Sequence, residues 1–205
     1  MYKRQNLNKY KYDKAIRSKK REEFNISEDT LVIGHIGRFV TQKNHVFLIE
    51  IFNELHKKNK NSKLILAGQG PLLNSIKAKV GKLSLTDSVL FLGQRLDAHE
   101  LYQMFDVFLL PSLYEGLPVV GVEAQAAGLY CLFSDDMTKE TRILTSTRFM
   151  SLNQSAETWA NTLLNEEAVF IRKDTREEIS INNFNIELEA NKLERYYSQL
   201  YKENS

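Results

Sequence analysis

Glu115 and Glu123, two glutamates separated by seven residues, lie where a short apolar run gives way to a helical pattern. Gly116 follows the first glutamate and can let the backbone turn sharply and approach a ligand closely. Pro118 suits the first position of a helix, and the free N–H groups at a helix start favour an anion such as a phosphate. This loop is therefore a candidate anion site with carboxylates beside it.

Glu123 is the more informative of the two glutamates. It lies in a helix that is apolar nearly all round, so the sequence predicts that its carboxylate is buried. A buried carboxylate costs several kcal/mol unless it has a partner. Either a protein donor or a ligand hydroxyl must satisfy Glu123, and the residues alone leave both alternatives open.

Short apolar runs alternate with helical patterns from residue 22 onward. Strands are predicted at residues 31–36, 63–67, 89–92, 107–110 and 130–134. Helices are predicted at 45–58 with Asn44 as the cap, at 71–83, at 100–105 and from Pro118. This alternation predicts the α/β class, with a Rossmann-like, doubly wound parallel sheet. Residues 135–205 contain neither glycine nor proline and are predicted to form C-terminal helices at 156–165, near 175 and at 186–203.

The pattern Glu115-Gly-Leu-Pro-Val-Val-Gly-Val-Glu123 resembles the EX7E motif of retaining GT-B glycosyltransferases of family 4, also called group 1. The resemblance implies that Glu115 binds hydroxyls of the donor sugar, with Gly116 and Leu117 in the same donor-binding loop. It also implies that Glu123 binds the ribose of the nucleotide. The apolar strand before the motif and the Ala-rich helix after it make the match specific.

The segment Gly37-Arg38-Phe-Val-Thr-Gln-Lys43-Asn44 resembles the GR…K segment that follows the first strand in this family. The resemblance implies that Gly37 lies in the donor site and that Arg38 and Lys43 neutralise the donor diphosphate. A guanidinium and an ammonium next to a helix N-terminus suit a pyrophosphate. Considered without the resemblance, two basic residues in a loop are more often solvated surface groups.

A third segment, Phe91-Leu-Gly93-Gln-Arg95, resembles the exit of the third strand in the family. There the backbone faces the nucleobase, so Gly93 and Arg95 are expected to contribute to donor binding. Gly37, Gly93 and Gly116 all follow predicted strands, and in an open α/β sheet ligands bind at that edge.

The resemblance covers about residues 24–200 and implies the C-terminal, donor-binding half of a two-domain enzyme. The segment 134–140 and Trp159 resemble exopolysaccharide- and capsule-type members. The implied reaction transfers a sugar, with retention, from a nucleotide diphospho-sugar to a glycan or lipid-linked acceptor. The nucleotide is expected to be UDP, and neither a metal nor another cofactor is expected. Because the N-terminal acceptor domain is missing, we expect the isolated chain to be inactive.

Two other function classes are alternatives to this expectation. One is a non-catalytic nucleotide- or sugar-binding module, which stays open. The other is a Rossmann-type oxidoreductase, but no GxGxxG follows the first strand, and Ala67-Gly68 stands where an acidic residue would end the second. The sequence therefore argues against dinucleotide binding.

Charge and cysteine content bear on partners and location. Residues 1–21 hold nine Lys/Arg and one Asp, and they are expected to form a basic head or linker before a domain at 22–205. No RNA-binding motif accompanies these charges, so we expect no nucleic acid partner.

With a single Cys131, no disulfide is expected, and a reducing cytoplasm fits. No apolar run approaches the roughly 20 residues of a membrane span, although the full-length protein is expected at the inner face of the membrane.

Overall fold

The computed structural model describes residues 6–168 and 170–203. Its centre is a six-stranded sheet in the order β3-β2-β1-β4-β5-β6, and every neighbouring pair is parallel. The strands are β1 (Leu31–Ile36), β2 (Ser62–Ala67), β3 (Val89–Gly93), β4 (Val107–Leu110), β5 (Tyr130–Ser134) and β6 (Thr147–Met150). The predicted Rossmann-like parallel sheet is confirmed.

Helices cover both faces of the sheet and enclose two apolar layers. They are α1 (Lys14–Glu23), α2 (His45–Lys58), α3 (Leu73–Lys82), α4 (Ala98–Met104), α5 (Val119–Ala126), α6 (Ala156–Glu167), α7 (Arg176–Ile181) and α8 (Ile186–Glu203). Buried side chains of α2, α3 and α6 form one layer, and those of α4, α5 and α7 belong to the other. None of the helices among the described residues has the length and apolar character needed to cross a bilayer.

Strand β6 corrects the prediction that residues 135–205 are helical. Its first and last residues, Thr147 and Met150, are buried, Arg148 is exposed and Phe149 is half-buried, so the strand shows no alternating pattern. The strand pairs with β5 at the edge of the sheet. A run this short, with an arginine in it, carries no strong strand signal, so pairing with β5 decides the structure.

Three predicted helix starts also differ in detail from the structure. Asn44 adopts a left-handed backbone with φ of 51°, and its side chain makes no capping hydrogen bond to α2. Pro118 is the residue before the first helical position of α5, not the first helical residue. The helix expected from residue 71 begins at Leu73.

The basic N-terminal segment packs on the domain. Helix α1 lies against α4, and Leu7, Tyr10 and Arg21 are buried. A domain boundary at residue 22 would therefore fall inside α1, which ends at Glu23. The first five residues of the predicted head lie outside the described part of the chain.

Candidate functional site

The strand order reverses at β1, which lies between β2 and β4. In doubly wound sheets ligands bind at the carboxyl edge beside this reversal, where the loops after the two diverging strands separate. The loops after β1 and β4 meet there, because Leu113 N–H donates to the Gln42 carbonyl at 2.8 Å. The Gln42 side chain in turn donates to the Tyr114 carbonyl at 3.0 Å. The structure thus brings together the two loops that the sequence motifs indicated.

Lys43 and Glu115 form an ion pair between these loops. The Lys43 ammonium donates to Glu115 Oε1 at 2.5 Å, and the two side chains are 14% and 9% exposed. The Ser112 hydroxyl donates to the same oxygen at 3.1 Å. Within residues 6–168 and 170–203, the other oxygen, Oε2, receives no hydrogen bond. Glu115 is therefore held in place through Oε1, and Oε2 is available to accept a hydrogen bond from a ligand.

Arg38 lies on the same loop as Lys43, but it is not part of the ion pair. It is exposed, and its guanidinium has no hydrogen-bond or ion-pair partner among the described residues. It lines a cavity of about 470 Å³ together with Gly68, Gln69, Gly70 and Gln94. An unpaired guanidinium at the edge of a cavity can donate to an anion without first breaking a protein contact.

The glycines after β2 allow the loops to approach this closely. A Cβ on Gly68 would lie 2.0 Å from the Gly37 carbonyl oxygen, and one on Gly70 would lie 2.5 Å from that of Phe39. Both glycines also have positive φ values of 143° and 158°. The loops after β1 and β2 therefore pack backbone against backbone, which only glycine permits here.

The exit of β3 lines a second, smaller cavity of about 130 Å³, which Gly37 and Arg95 share with Gly68. The Arg95 guanidinium pairs with Asp97 at 2.6 Å and with Glu23 at 3.3 Å. The Gly93 carbonyl accepts from the Gly68 N–H at 2.7 Å. Gly93 and Arg95 therefore lie at the predicted edge, but the Arg95 side chain is engaged by protein carboxylates.

The rest of the predicted motif lies in the loop before α5. Apart from the two adjoining residues, no atom of the described residues comes within 4 Å of where a Cβ on Gly116 would stand. Gly116 is not among the glycines with positive φ, so the turn there does not require glycine. Leu117 follows it directly before Pro118 and α5.

Glu123, on α5, is held by two tyrosines. The Tyr10 hydroxyl donates to Oε1 at 2.7 Å, and the Tyr102 hydroxyl donates to Oε2 at 2.9 Å. Burial raises the pKa of Glu123 above its ordinary value, while the two hydroxyls oppose that rise. Protein donors thus satisfy the carboxylate, which is one of the two alternatives that the sequence left open. Glu123 is partly exposed to solvent, and its role in binding the ribose stays a prediction.

A pair of buried histidines under the β1 loop was missed in the sequence. The His35 Nδ1 lies 2.9 Å from the Leu109 carbonyl, while its Nε2 and both ring nitrogens of His45 have no partner in the described structure. Burial, followed by the charge of Lys43, lowers the pKa of His45 to about 4. The His45 ring stacks on Phe39 at 4.1 Å. No spacing in the sequence marks these two histidines as neighbours.

Comparison with known proteins shows the family of this chain. The model of glycosyl transferases group 1 matches residues 16–168, which is most of the chain. The chain belongs to this family. The group 1 chain is 45% identical over 139 residues to EpsF of Bacillus subtilis (strain 168), covering 67% of this chain and 36% of EpsF. It is also 33% identical over 113 residues to the UDP-Gal:alpha-D-GlcNAc-diphosphoundecaprenol alpha-1,3-galactosyltransferase of Escherichia coli, covering 54% of this chain and 29% of that enzyme.

Solved structures share the fold of this group 1 chain. HepE of Anabaena, crystallised with UDP and glucose, matches with a TM-score of 0.79 at 20% identity, over 95% of this chain and 55% of HepE. Sucrose-phosphate synthase of Thermosynechococcus elongatus matches with a TM-score of 0.77 at 23% identity, over 97% of this chain and 51% of the synthase. The chain spans about a third of the length of the two curated relatives and about half of these two solved chains.

Proposed function

We propose that this chain is the donor-binding part of a retaining glycosyltransferase that transfers a sugar from a UDP-sugar to a glycan or lipid-linked acceptor in polysaccharide biosynthesis. The observation that carries the proposal is the Lys43–Glu115 pair at the carboxyl edge of the sheet, with Arg38 unpaired on the same loop as Lys43. HepE, whose fold is shared, was also crystallised with UDP-glucose. The galactosyltransferase relative, by its name, uses UDP-Gal and a diphosphoundecaprenol-linked sugar.

The diphosphate is assigned to Arg38, Lys43 and the start of α5. The Lys43 ammonium has three donors, of which Glu115 takes one, so donors remain for a phosphate oxygen. Arg38 can present two parallel N–H groups to the same diphosphate. The first N–H groups of α5 add a partial positive charge at the loop that carries Gly116.

The sugar is assigned to Glu115. Its Oε2 accepts from a sugar hydroxyl, while Lys43 and Ser112 hold the opposite oxygen. A sugar fixed in this way keeps its anomeric carbon in one position relative to the diphosphate, which lowers the entropic part of the barrier. The ribose is assigned to Glu123, and the nucleobase to the β3 exit at Gly93 and Arg95.

In the reaction, the bond between the anomeric carbon and the diphosphate oxygen breaks, and negative charge grows on the departing phosphate. Arg38, Lys43 and the α5 N-terminus stabilise that charge, so in this proposal the protein's own cations serve without a metal or other cofactor. An acceptor hydroxyl then bonds to the anomeric carbon on the face from which the phosphate leaves, and its proton passes to the departing phosphate oxygen. No residue of this chain is assigned as a base for the acceptor.

The acceptor is assigned to a separate N-terminal domain of the full protein. Helix α8 supplies the surface for that domain, because its apolar and tyrosine side chains are largely exposed: Leu188, Leu193, Tyr196, Tyr197 and Tyr201. We expect the full protein to work on the cytoplasmic side of the membrane, and the isolated chain to transfer no sugar.

Calorimetry with UDP and a panel of UDP-sugars tests the donor site. Glu115→Gln should change the affinity for UDP by no more than about twofold relative to the wild-type chain. It should weaken binding of the preferred UDP-sugar by roughly tenfold, because one hydrogen bond to a charged group is lost. Glu140→Gln removes an exposed glutamate on the loop after β5 and is the matched control. Absence of UDP binding, or equal loss of UDP affinity from Glu115→Gln and Glu123→Gln, would overturn the assignment.

A further inference from the structure

We propose that Tyr10 and Tyr102 are positioning residues, which orient the Glu123 carboxylate so that it accepts from the hydroxyls of a ribose. The inference rests on the proposed function, in which Glu123 binds the ribose of the donor nucleotide. It adds two residues that no sequence motif indicated, one of them from the N-terminal segment.

The geometry of the three side chains is the first support. Each carboxylate oxygen accepts one tyrosine hydroxyl, Oε1 from Tyr10 at 2.7 Å and Oε2 from Tyr102 at 2.9 Å. Two donors on two different oxygens prevent the carboxylate from rotating about its last bond. Each oxygen has a second acceptor position that the tyrosines leave unused, and the residue retains partial exposure. The carboxylate is therefore fixed, but it is not saturated.

The tyrosines are themselves held rigidly. Tyr102 is fully buried on α4, and its hydroxyl also lies 3.3 Å from the Val120 carbonyl. The buried Gln103 side chain donates to the Tyr10 carbonyl at 3.3 Å and accepts from the Asp13 N–H at 3.1 Å. The segment around Tyr10 is thus fastened to the same helix that carries Tyr102. A site whose supporting residues are locked keeps its geometry when the ligand is absent.

The two tyrosine hydrogen bonds also affect the protonation of the Glu123 carboxylate. Burial alone raises the pKa of Glu123 and favours the neutral acid, whereas both hydroxyl hydrogen bonds lower it and favour the anion. An ionised carboxylate accepts hydrogen bonds more strongly than a neutral acid does. The tyrosines therefore orient Glu123, and their hydrogen bonds favour the anion against the rise in pKa that burial causes.

A purely structural role would also place donors around a buried carboxylate, so the test must separate the two. The measured quantity is the ratio of the dissociation constants of 2′-deoxy-UDP and UDP, obtained by calorimetry on this chain. The wild-type chain should prefer UDP by about tenfold or more, because 2′-deoxy-UDP lacks a hydroxyl that a carboxylate accepts from. Tyr10→Phe should reduce this preference by about three- to tenfold, the equivalent of one ordinary hydrogen bond.

Tyr12→Phe is the matched control. Tyr12 lies two residues further along the same segment, its ring packs under the Arg172 guanidinium at 4.2 Å, and Phe keeps that ring. This variant should retain the wild-type preference. Tyr102→Phe provides a second, independent removal of a Glu123 donor and should act in the same direction as Tyr10→Phe. Thermal unfolding shows whether each variant is folded.

A double-mutant cycle gives the sharpest outcome. In a Glu123→Gln background the preference for UDP should be largely lost, and adding Tyr10→Phe should change it no further, since the tyrosine acts through the carboxylate. If Tyr10→Phe weakens both nucleotides equally, the role is structural and the inference is overturned. Equal wild-type affinity for the two nucleotides also overturns it. Failure of the wild-type chain to bind UDP at all is a different result, which removes the proposed function itself.

Discussion

The two ends of strands β1 and β4 use the same kinds of residue in opposite ways. At the amino end, Asp106 accepts from the guanidinium groups of Arg17 and Arg21, each at 2.7 Å, and from the Val32 N–H at 2.7 Å. Arg21 is 1% exposed, and its remaining N–H groups donate to backbone carbonyls such as those of Thr30 and Met104. Every charge in this cluster has protein partners.

At the carboxyl end, some hydrogen-bond donors and acceptors are not used by other described residues. Arg38 is exposed and has no partner among the described residues, and Glu115 uses only one of its two oxygens. Lys43 donates to that one oxygen. The comparison shows that an arginine stabilises a fold when its donors are all matched, and is available to a ligand when they are not. Sequence position at a strand end does not distinguish these two uses.

The largest effect is expected from a substitution that disrupts the amino-end cluster of Asp106, Arg17 and Arg21. Asp106→Ala leaves the buried Arg21 without its carboxylate partner and leaves Arg17 paired, among the described residues, only with Glu28. This should lower the free energy of unfolding by about 3–5 kcal/mol. For a domain of this size that corresponds to a fall in melting temperature of roughly 6–20 °C. Asp136→Ala, which removes an exposed aspartate, is the control. A fall of less than about 2 °C would show that the cluster stabilises little and would weaken the comparison.

The second prediction concerns acid sensitivity at the carboxyl end. Burial holds the pKa of His45 in the folded protein at about 4, below its value of 6.5 when unfolded. The unfolded chain therefore binds the proton more strongly, so the stability is fully present above pH 6.5 and is lost as the pH falls toward 4. For His45 the loss is about 3 kcal/mol. Burial and the charges of His45 and Lys43 lower the pKa of His35 as well, which adds to the same trend.

Melting temperatures between pH 7.5 and 4.5 measure this effect. The fall should be smaller in His45→Leu than in the wild-type chain, whatever the variant's stability at neutral pH. An equal fall in both would mean that folding does not lower the pKa of His45. It would also show that His45 does not contribute to the acid sensitivity of the chain.

The third prediction sharpens the contrast between the two arginines. Arg38→Ala should change the free energy of unfolding by no more than about 0.5 kcal/mol, because it removes no hydrogen bond or ion pair within the described residues. It should nevertheless weaken UDP binding by about 1.5–3 kcal/mol through lost charge-assisted hydrogen bonds. Lys43→Ala should cost less UDP affinity if the ammonium stays hydrated in the complex. Calorimetry and thermal unfolding on the same samples measure both quantities, and a large loss of stability in Arg38→Ala would contradict the comparison.

The smallest expected effect is the stabilisation of the chain by UDP. At free UDP ten times its dissociation constant, binding should stabilise the fold by about 1.4 kcal/mol. The melting temperature should then rise by roughly 3–6 °C. In Arg38→Ala the rise should disappear at the same UDP concentration. An undiminished rise in that variant would place the diphosphate elsewhere than at the β1 loop.

The sequence by itself determined the five strands β1 to β5 and the order in which helices connect them. Short apolar runs bounded by glycine and proline are sufficient, because strands buried on both faces have few alternatives. It also determined which loops carry the candidate site, since the loops that follow parallel strands must share one edge of the sheet. Arg38, Lys43, Glu115 and Gly93 lie at that edge for this reason.

Only the tertiary structure decided how those residues are used. Lys43 and Glu115 are 72 positions apart and Tyr10 and Glu123 are 113 apart, so their hydrogen bonds depend on how the sheet is ordered and how α1 packs on α4. The same packing brings Glu23 of α1 to Arg95, whereas Arg38 has no hydrogen-bond or ion-pair partner in the described structure. Hydrogen bonds between distant side chains have no sequence period, because they are set by the final positions of the elements and not by local backbone preference.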